Sequence, residues 1–207
     1  MPNPNQWLDW AREIQALAQS GKTYALNDWQ IERYDKLMGI AAEIVSQYTD
    51  LSHQAILENF KIQTGYATPK IDVRGAVFRE GKLLMVKESR DGGWTMPGGW
   101  ADVGDYPAAA AEREVWEESG FNVKARKLVG VYDANRVKPM EFYHAFKLVF
   151  LCDILGGEAR TSNETTDVAF YSQDEIPENF AGERTRPRHI RDAFTALFDP
   201  AVPAVFD

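Results

Sequence analysis

The chain has 207 residues and a mass of 23.4 kDa, with 44% hydrophobic and 26% charged side chains, values that exclude collagen-like, mucin-like and wholly disordered classes. Its net charge of −8 lacks the basic footprint of a nucleic-acid binder. One cysteine and three histidines exclude an internal disulfide framework, a four-cysteine zinc site and a histidine-rich metal centre, so any metal here would take mostly oxygen ligands.

The start of the chain, MPNPNQWLDWAREIQ, does not have the basic and then apolar order of a signal peptide. No window approaches the roughly 18 apolar residues of a membrane span, so a cytoplasmic protein is expected. The first sixty residues read as three helices. Trp7, Trp10, Ala11, Ile14, Leu17 and Ala18 fall at helical spacing, and Ser20-Gly21-Lys22 is expected to stop that helix. Asn27 or Asp28 caps a second, striped by Tyr34, Leu37, Met38, Ala41, Ile44, Val45 and Tyr48. Ser52 caps a third, with Leu51 and Ile56 as a hydrophobic staple. Residues 1–62 hold five Lys/Arg against eight Asp/Glu, a net of −3 that weighs against a DNA-reading module.

The period changes after Thr64-Gly65, and a domain boundary is placed there: a helical domain over 1–66 and a second domain over 67–207. Strands are expected from Ile71 through Val77 and from Leu83 to Val86, around a turn at Glu80-Gly81. A glycine-rich loop over 92–104 leads into a helix over 107–119. Strands over 123–132, 143–155 and 168–171 and a last helix over 185–198 complete an α/β (α+β) pattern. Cys152, in an apolar run, reads as a small buried core residue.

The helix over 107–119 carries the chemistry. Glu114, Glu117 and Glu118 stand at i, i+3 and i+4, which puts three carboxylates on one face. Ala108, Ala111 and Val115 form a separate apolar stripe suited to a sheet. Adjacent carboxylates raise one another's pKa, and a hard, oxygen-seeking cation such as Mg²⁺ or Mn²⁺ relieves the repulsion. Gly98, Gly99 and Gly104 allow backbone to approach a ligand closely. Without a cation, the same face is a solvated acidic surface with an Arg113–Glu117 ion pair.

The run Gly99, five residues, Asp105, seven residues, Arg113-Glu114-Val115-Trp116-Glu117-Glu118-Ser119-Gly120-Phe121 resembles the Nudix box. Every fixed position agrees except that Asp105 stands where the family has Glu. WTMPGGWADVGD, the region of Glu164 and the ending Phe206-Asp207 resemble a branch with an N-terminal helical extension, which includes ADP-ribose and CDP-choline pyrophosphatases. The resemblance implies an α/β/α sandwich with a mixed sheet behind a small helical domain. It implies a homodimer, and hydrolysis of a nucleoside diphosphate linked to a second moiety with Mg²⁺ or Mn²⁺. By the same resemblance, Glu114, Glu117 and Glu118 with the Gly98 carbonyl hold metal, and Arg113, Gly99 and Asp105 support the site. Glu164, Glu114 or Glu117 act on the attacking water. Asp105 is also placed to cap the helix.

Substrate contacts are weakly encoded. Trp94, Trp100, Tyr132 and Phe142 can stack on a base, although large aromatics more often fill a core; Asp133, Asn135 and Arg136 follow a strand, and Arg74 can reach a phosphate or equally take a surface or paired role. Arg184, Arg186, Arg188 and Arg191 form either a steering patch or an ion-paired helix. Two rivals are carried forward: a nucleotide sensor without turnover, and an RNA-processing enzyme.

Overall fold

The computed structural model describes residues 6–134, 144–181 and 184–207. The chain divides into two compact units, which part between Pro69 and Lys70, with His144 grouped with the first. Helices α1 (Gln6–Thr23), α2 (Asp28–Tyr48) and α3 (His53–Ile62) make the first unit. The Asn27 side chain accepts the Gln30 N–H and the Ser52 hydroxyl accepts the Ala55 N–H, so each cap satisfies a donor that the first helical turn leaves free. Ala11, Ala18, Met38, Ala41, Ala42, Val45, Ile56 and Phe60 close the core.

Contrary to the sequence expectation, α1 runs on through Gly21 to Thr23. A Cβ at Gly21 would run into the Tyr34 ring, so the glycine seats α2 on α1. That packing outweighs the ~1 kcal/mol by which glycine disfavours a helix. Leu51, expected to staple Ile56, is exposed.

In the second unit, β1 (Lys70–Arg79) and β2 (Lys82–Glu88) form a hairpin at Glu80-Gly81. Both turn residues have positive φ, the conformation that matches strand twist in a two-residue loop. The remaining elements are β3 (Trp94–Thr95), α4 (Pro107–Ser119), β4 (Phe121–Asp133), β5 (Ala145–Gly157), β6 (Thr165–Tyr171), α5 (Pro187–Phe198) and β7 (Val205–Phe206). The strands order as β3-β2-β1-β5-β4-β7, with β6 beside β2; the β1–β5 and β4–β7 pairs are parallel and the rest antiparallel. Strands β3 and β7 have two residues each, too short to leave a periodic signal.

Two helices cover the two faces of this sheet. Val73, Val77 and Phe121 pack beneath Ala110, Ala111 and Val115 of α4, whereas Ala76, Met85, Val149 and Leu151 pack beneath Ile190 and Phe194 of α5. The α/β/α sandwich with a mixed sheet is therefore present. Strand β1 is buried on both faces, and this decides the fate of its charged residues. Asp72 and Arg74 alternate in phase with Ala76, and so lie on the α5 side of the sheet.

Candidate active site

The loop after β3 lies along the free edge of β1. The Val73 N–H donates to the Gly99 carbonyl at 2.8 Å, the Gly75 N–H to Pro97 at 2.9 Å, and the Ala101 N–H to Ile71 at 3.0 Å. Gly98 has φ 148°, and a Cβ there would collide with the Val73 carbonyl oxygen. Only glycine lets the loop sit this close to the strand. A Cβ on Gly99 would stand 2.7 Å from Glu114 Oε2, so the loop also abuts the acidic face of α4.

The three box carboxylates are held differently. Glu118 is 5% exposed, and its Oε2 accepts the Gly98 N–H at 2.9 Å. Burial pushes its pKa up to about 7; Arg74 and the Gly98 N–H oppose this, while Glu88 and Glu114 add to it. The pKa of Glu114 is also raised, first by burial, against the pull of Arg113. Glu117 is half exposed. Arg113 Nη1 reaches Glu114 Oε1 at 2.7 Å and Glu117 Oε2 at 3.1 Å, and its Nη2 reaches Asp105 Oδ2 at 3.0 Å.

Asp105 does not cap α4, as its place before the helix suggested. Tyr106 is the N-cap residue, without a side-chain bond, and Pro107 starts the helix. The Asp105 carboxylate instead accepts the Asp102 N–H and braces Arg113. Glu164 is exposed; its backbone carbonyl accepts the Ser89 N–H, and the neighbouring Thr165 hydroxyl donates to the Glu118 carbonyl at 2.8 Å. The Glu164 loop is thus tied to the end of α4.

For two residues left with alternatives by the sequence, the structure shows the paired and the core arrangement. Arg74 does not offer its fork to a ligand: it is buried, with Nε and Nη2 donating to Asp72 Oδ1 and Oδ2 at 3.0 and 2.9 Å. Tyr132 is not a base-stacking platform: it is 2% exposed, donates its hydroxyl to Asp192, and packs on the His189 ring. Trp94 is likewise buried in the core, whereas Trp100, paired with Asp72 across the loop, remains partly open. The Asp133 N–H donates to Asp207 Oδ2, which ties the chain end to β4. Arg136, Asn135 and Phe142 lie outside the described residues. The C-terminal arginines are paired: Arg184 with Asp91, Arg188 with Asp207 and Asp192, and Arg191 with Asp192. Arg186 donates to the Ala134 carbonyl.

Several residues escaped sequence reasoning. Glu88, at the end of β2, is 8% exposed and close enough to act electrostatically on Glu118 and Arg74. Lys147, 0% exposed, donates to Asp72 Oδ1 at 2.7 Å. A polar residue in the inward phase of an apolar strand was the only signal for Lys147. Glu112, on the far side of α4, accepts the Ala125 N–H where β4 changes register, and pairs with Lys124.

Among the described residues, no three His, Cys, Asp or Glu side chains form a ready cation cage. A small hard cation keeps several waters and is commonly bound through one or two protein carboxylates. Two half-buried or buried carboxylates of raised pKa, Glu114 and Glu118, beside a glycine loop are a donor set of that kind.

A NUDIX domain family matches residues 68–193, spanning the loop, α4 and strands β1 to β6. The chain belongs to the Nudix hydrolase family. A second family, described as a UDP-X-like N-terminal oligomerisation domain, matches residues 5–60 of this Nudix protein. A Bacillus subtilis protein provisionally named an ADP-ribose pyrophosphatase is 34% identical over 98% of this chain and 97% of its own length. An ADP-ribose pyrophosphatase structure from Streptococcus suis matches with a TM-score of 0.62 at 34% identity, over 68% of this chain and all of that one. The structure of a UDP-X diphosphatase matches with a TM-score of 0.63 at 27% identity, over 98% of both chains. No helix among the described residues is long and apolar enough to cross a membrane.

Proposed function

We propose that this Nudix hydrolase is a metal-dependent pyrophosphohydrolase that cleaves the diphosphate of a nucleoside diphosphate linked to a second moiety, releasing a nucleoside monophosphate and the phosphorylated second moiety. The observation that carries this reading is the pair Glu114 and Glu118, drawn together beside the Gly98 loop and carrying raised pKa values. Glu114 and Glu118, with Glu117 and the Gly98 carbonyl as further donors, would hold Mg²⁺ or Mn²⁺. The ion would neutralise the diphosphate and make bound water a stronger acid.

The chain's own residues set the geometry. The Gly98 N–H orients Glu118, and Arg113 fixes Glu114 and Glu117 while Asp105 fixes Arg113. The Glu164 carboxylate, open to solvent on a loop tied to α4, is the proposed acceptor of the water proton at one of its Oε atoms. The water oxygen bonds to phosphorus as the bridging P–O bond breaks. Among the described candidates, Trp100, exposed on the loop, is the aromatic proposed to meet a base. A cytoplasmic location belongs to the same proposal.

The names of the relatives favour ADP-ribose, the UDP-X diphosphatase adds uridine diphosphate derivatives, and CDP-choline remains from the sequence resemblance. A panel of these with Mg²⁺ or Mn²⁺, scored by product, tests the reading. The expected products are a nucleoside monophosphate and a phosphorylated partner. Binding without cleavage would establish a sensor instead, and cleavage of RNA alone would establish RNA processing. The acidic partners of Arg184, Arg188 and Arg191 leave the latter without its basic patch.

We also propose that the helical unit joins two chains. The family description of residues 5–60 supports this, as does the exposure of Trp10, Leu17, Trp29 and Ile40 in the single chain. Sedimentation velocity should give twice the 23.4 kDa chain mass; a monomer at all concentrations would refute it.

A further inference from the structure

We infer that Arg74 is a positioning residue, which clamps the loop from Thr95 to Gly98 and through it sets the place of the Glu118 carboxylate, with Asp72 and Lys147 holding Arg74 itself in register. The inference rests on the function proposed above for Glu118.

The geometry is that of a clamp with three jaws. Two nitrogens of the Arg74 fork are fixed by Asp72, whose Oδ1 is fixed in turn by Lys147 from the neighbouring strand. The third nitrogen, Nη1, donates to the Met96 carbonyl at 3.1 Å and lies 3.4 Å from Thr95 Oγ1. Two residues on, a Cβ at Gly98 would stand 2.8 Å from Arg74 Cα and 2.9 Å from its Cδ, so the loop rests directly on this side chain. The Gly98 N–H then holds Glu118. A second grip on the same residues comes from Thr185, whose hydroxyl accepts the Met96 N–H at 3.0 Å and bonds Thr95 Oγ1 at 2.8 Å. Arg74 is also the cation whose field acts most on Glu118.

Arginine is required because a planar fork bridges a carboxylate and a carbonyl at once; a lysine ammonium in the same place keeps the charge and loses the bridge. Supports of this kind, one step removed from a ligand, typically carry 10–100-fold in metal affinity or activity.

Direct titration of Mn²⁺ into the full chain without nucleotide tests this, comparing wild type, Arg74→Lys, Glu118→Gln and the double variant. Arg74→Lys should melt cooperatively and bind Mn²⁺ roughly 10–100-fold more weakly. In the Glu118→Gln background the same change should cost no more than about a factor of two, because the carboxylate it positions is gone. With the best substrate of the panel, kcat should fall while KM holds. Unchanged Mn²⁺ affinity, an equal loss in both backgrounds, or a raised KM at constant kcat would overturn the inference, the last by making Arg74 a substrate contact. Should Arg74→Lys fail to fold, Thr185→Val removes the second grip on Thr95 and Met96, and the same comparisons decide. A wild-type chain that neither binds Mn²⁺ nor cleaves substrate would refute the function. A wild-type chain that does both while the variant matches it would refute only this inference.

Discussion

Glu118→Gln should lower turnover by more than about 100-fold, a larger loss than the removal of a mere supporting partner brings. The metal-free protein should at the same time become more stable above neutral pH. The glutamine keeps an oxygen for the Gly98 N–H and removes a buried charge. The folded pKa of about 7 lies above the ordinary 4.5. Glu118 therefore contributes stability that is fully present below pH 4.5 and is lost as pH rises through about 7, in total on the order of 3 kcal/mol. Glu114 is shifted in the same direction.

His189 opposes both. Its pKa is lowered to about 3 by burial and by Lys147 and Arg186, so its contribution is present above pH 6.5 and lost as pH falls through about 3. The difference between variant and wild type isolates Glu118 from His189. Urea midpoints in EDTA should diverge in favour of the variant between pH 4.5 and 8. Mn²⁺ should raise the wild-type midpoint above pH 7 and leave the variant nearly unmoved. Near-normal activity, or parallel pH profiles in EDTA, would refute the assignment of Glu118.

The second large effect concerns stability. Asp72 is one buried carboxylate serving two buried cations, Arg74 and Lys147. Burial alone would raise its pKa, but the two cations hold it down at about 2. Lys147 is pushed down to about 8 by burial, with Asp72 opposing and Arg74 reinforcing. The partners shift unequally because the carboxylate is shared. Asp72→Asn strands the Arg74 charge and drives Lys147, already held at about 8, toward its neutral form, and should cost about 3–5 kcal/mol. Lys147→Met leaves a neutral bidentate pair and should cost well under half of that. Equal losses in urea denaturation would contradict the excess positive charge. The Asp72 contribution is present above pH 3.8 and lost as pH falls through about 2.

Much of the candidate site was legible in the sequence because it is contiguous. The glycine loop and α4 occupy one stretch, and helical geometry alone puts Glu114, Glu117 and Glu118 on one face. What that face does not reveal is how unequal the three carboxylates are. Glu118 is covered because the loop folds back along β1, a consequence of hydrogen bonds from Val73 and Gly75 more than twenty residues upstream. Asp105 illustrates the same limit: its position before the helix suggested a cap, and the reach of Arg113 decided otherwise.

The amino-acid sequence by itself determined the order of the longer elements, though not the two-residue β3 and β7, and with it the oxygen-rich chemistry and the acidic face, since these follow from local spacing and composition. Tertiary structure decided which side chains a ligand can meet. The alternation along β1 puts Asp72 and Arg74 on one face, but only the packing of α5, contributed by residues a hundred positions later, turns that face into an interior. Arg74, which the sequence left open between a phosphate contact and a paired role, thereby becomes a buried partner of Asp72, and Tyr132 becomes core. Strand periodicity says which residues share a face, and only long-range packing says what covers it.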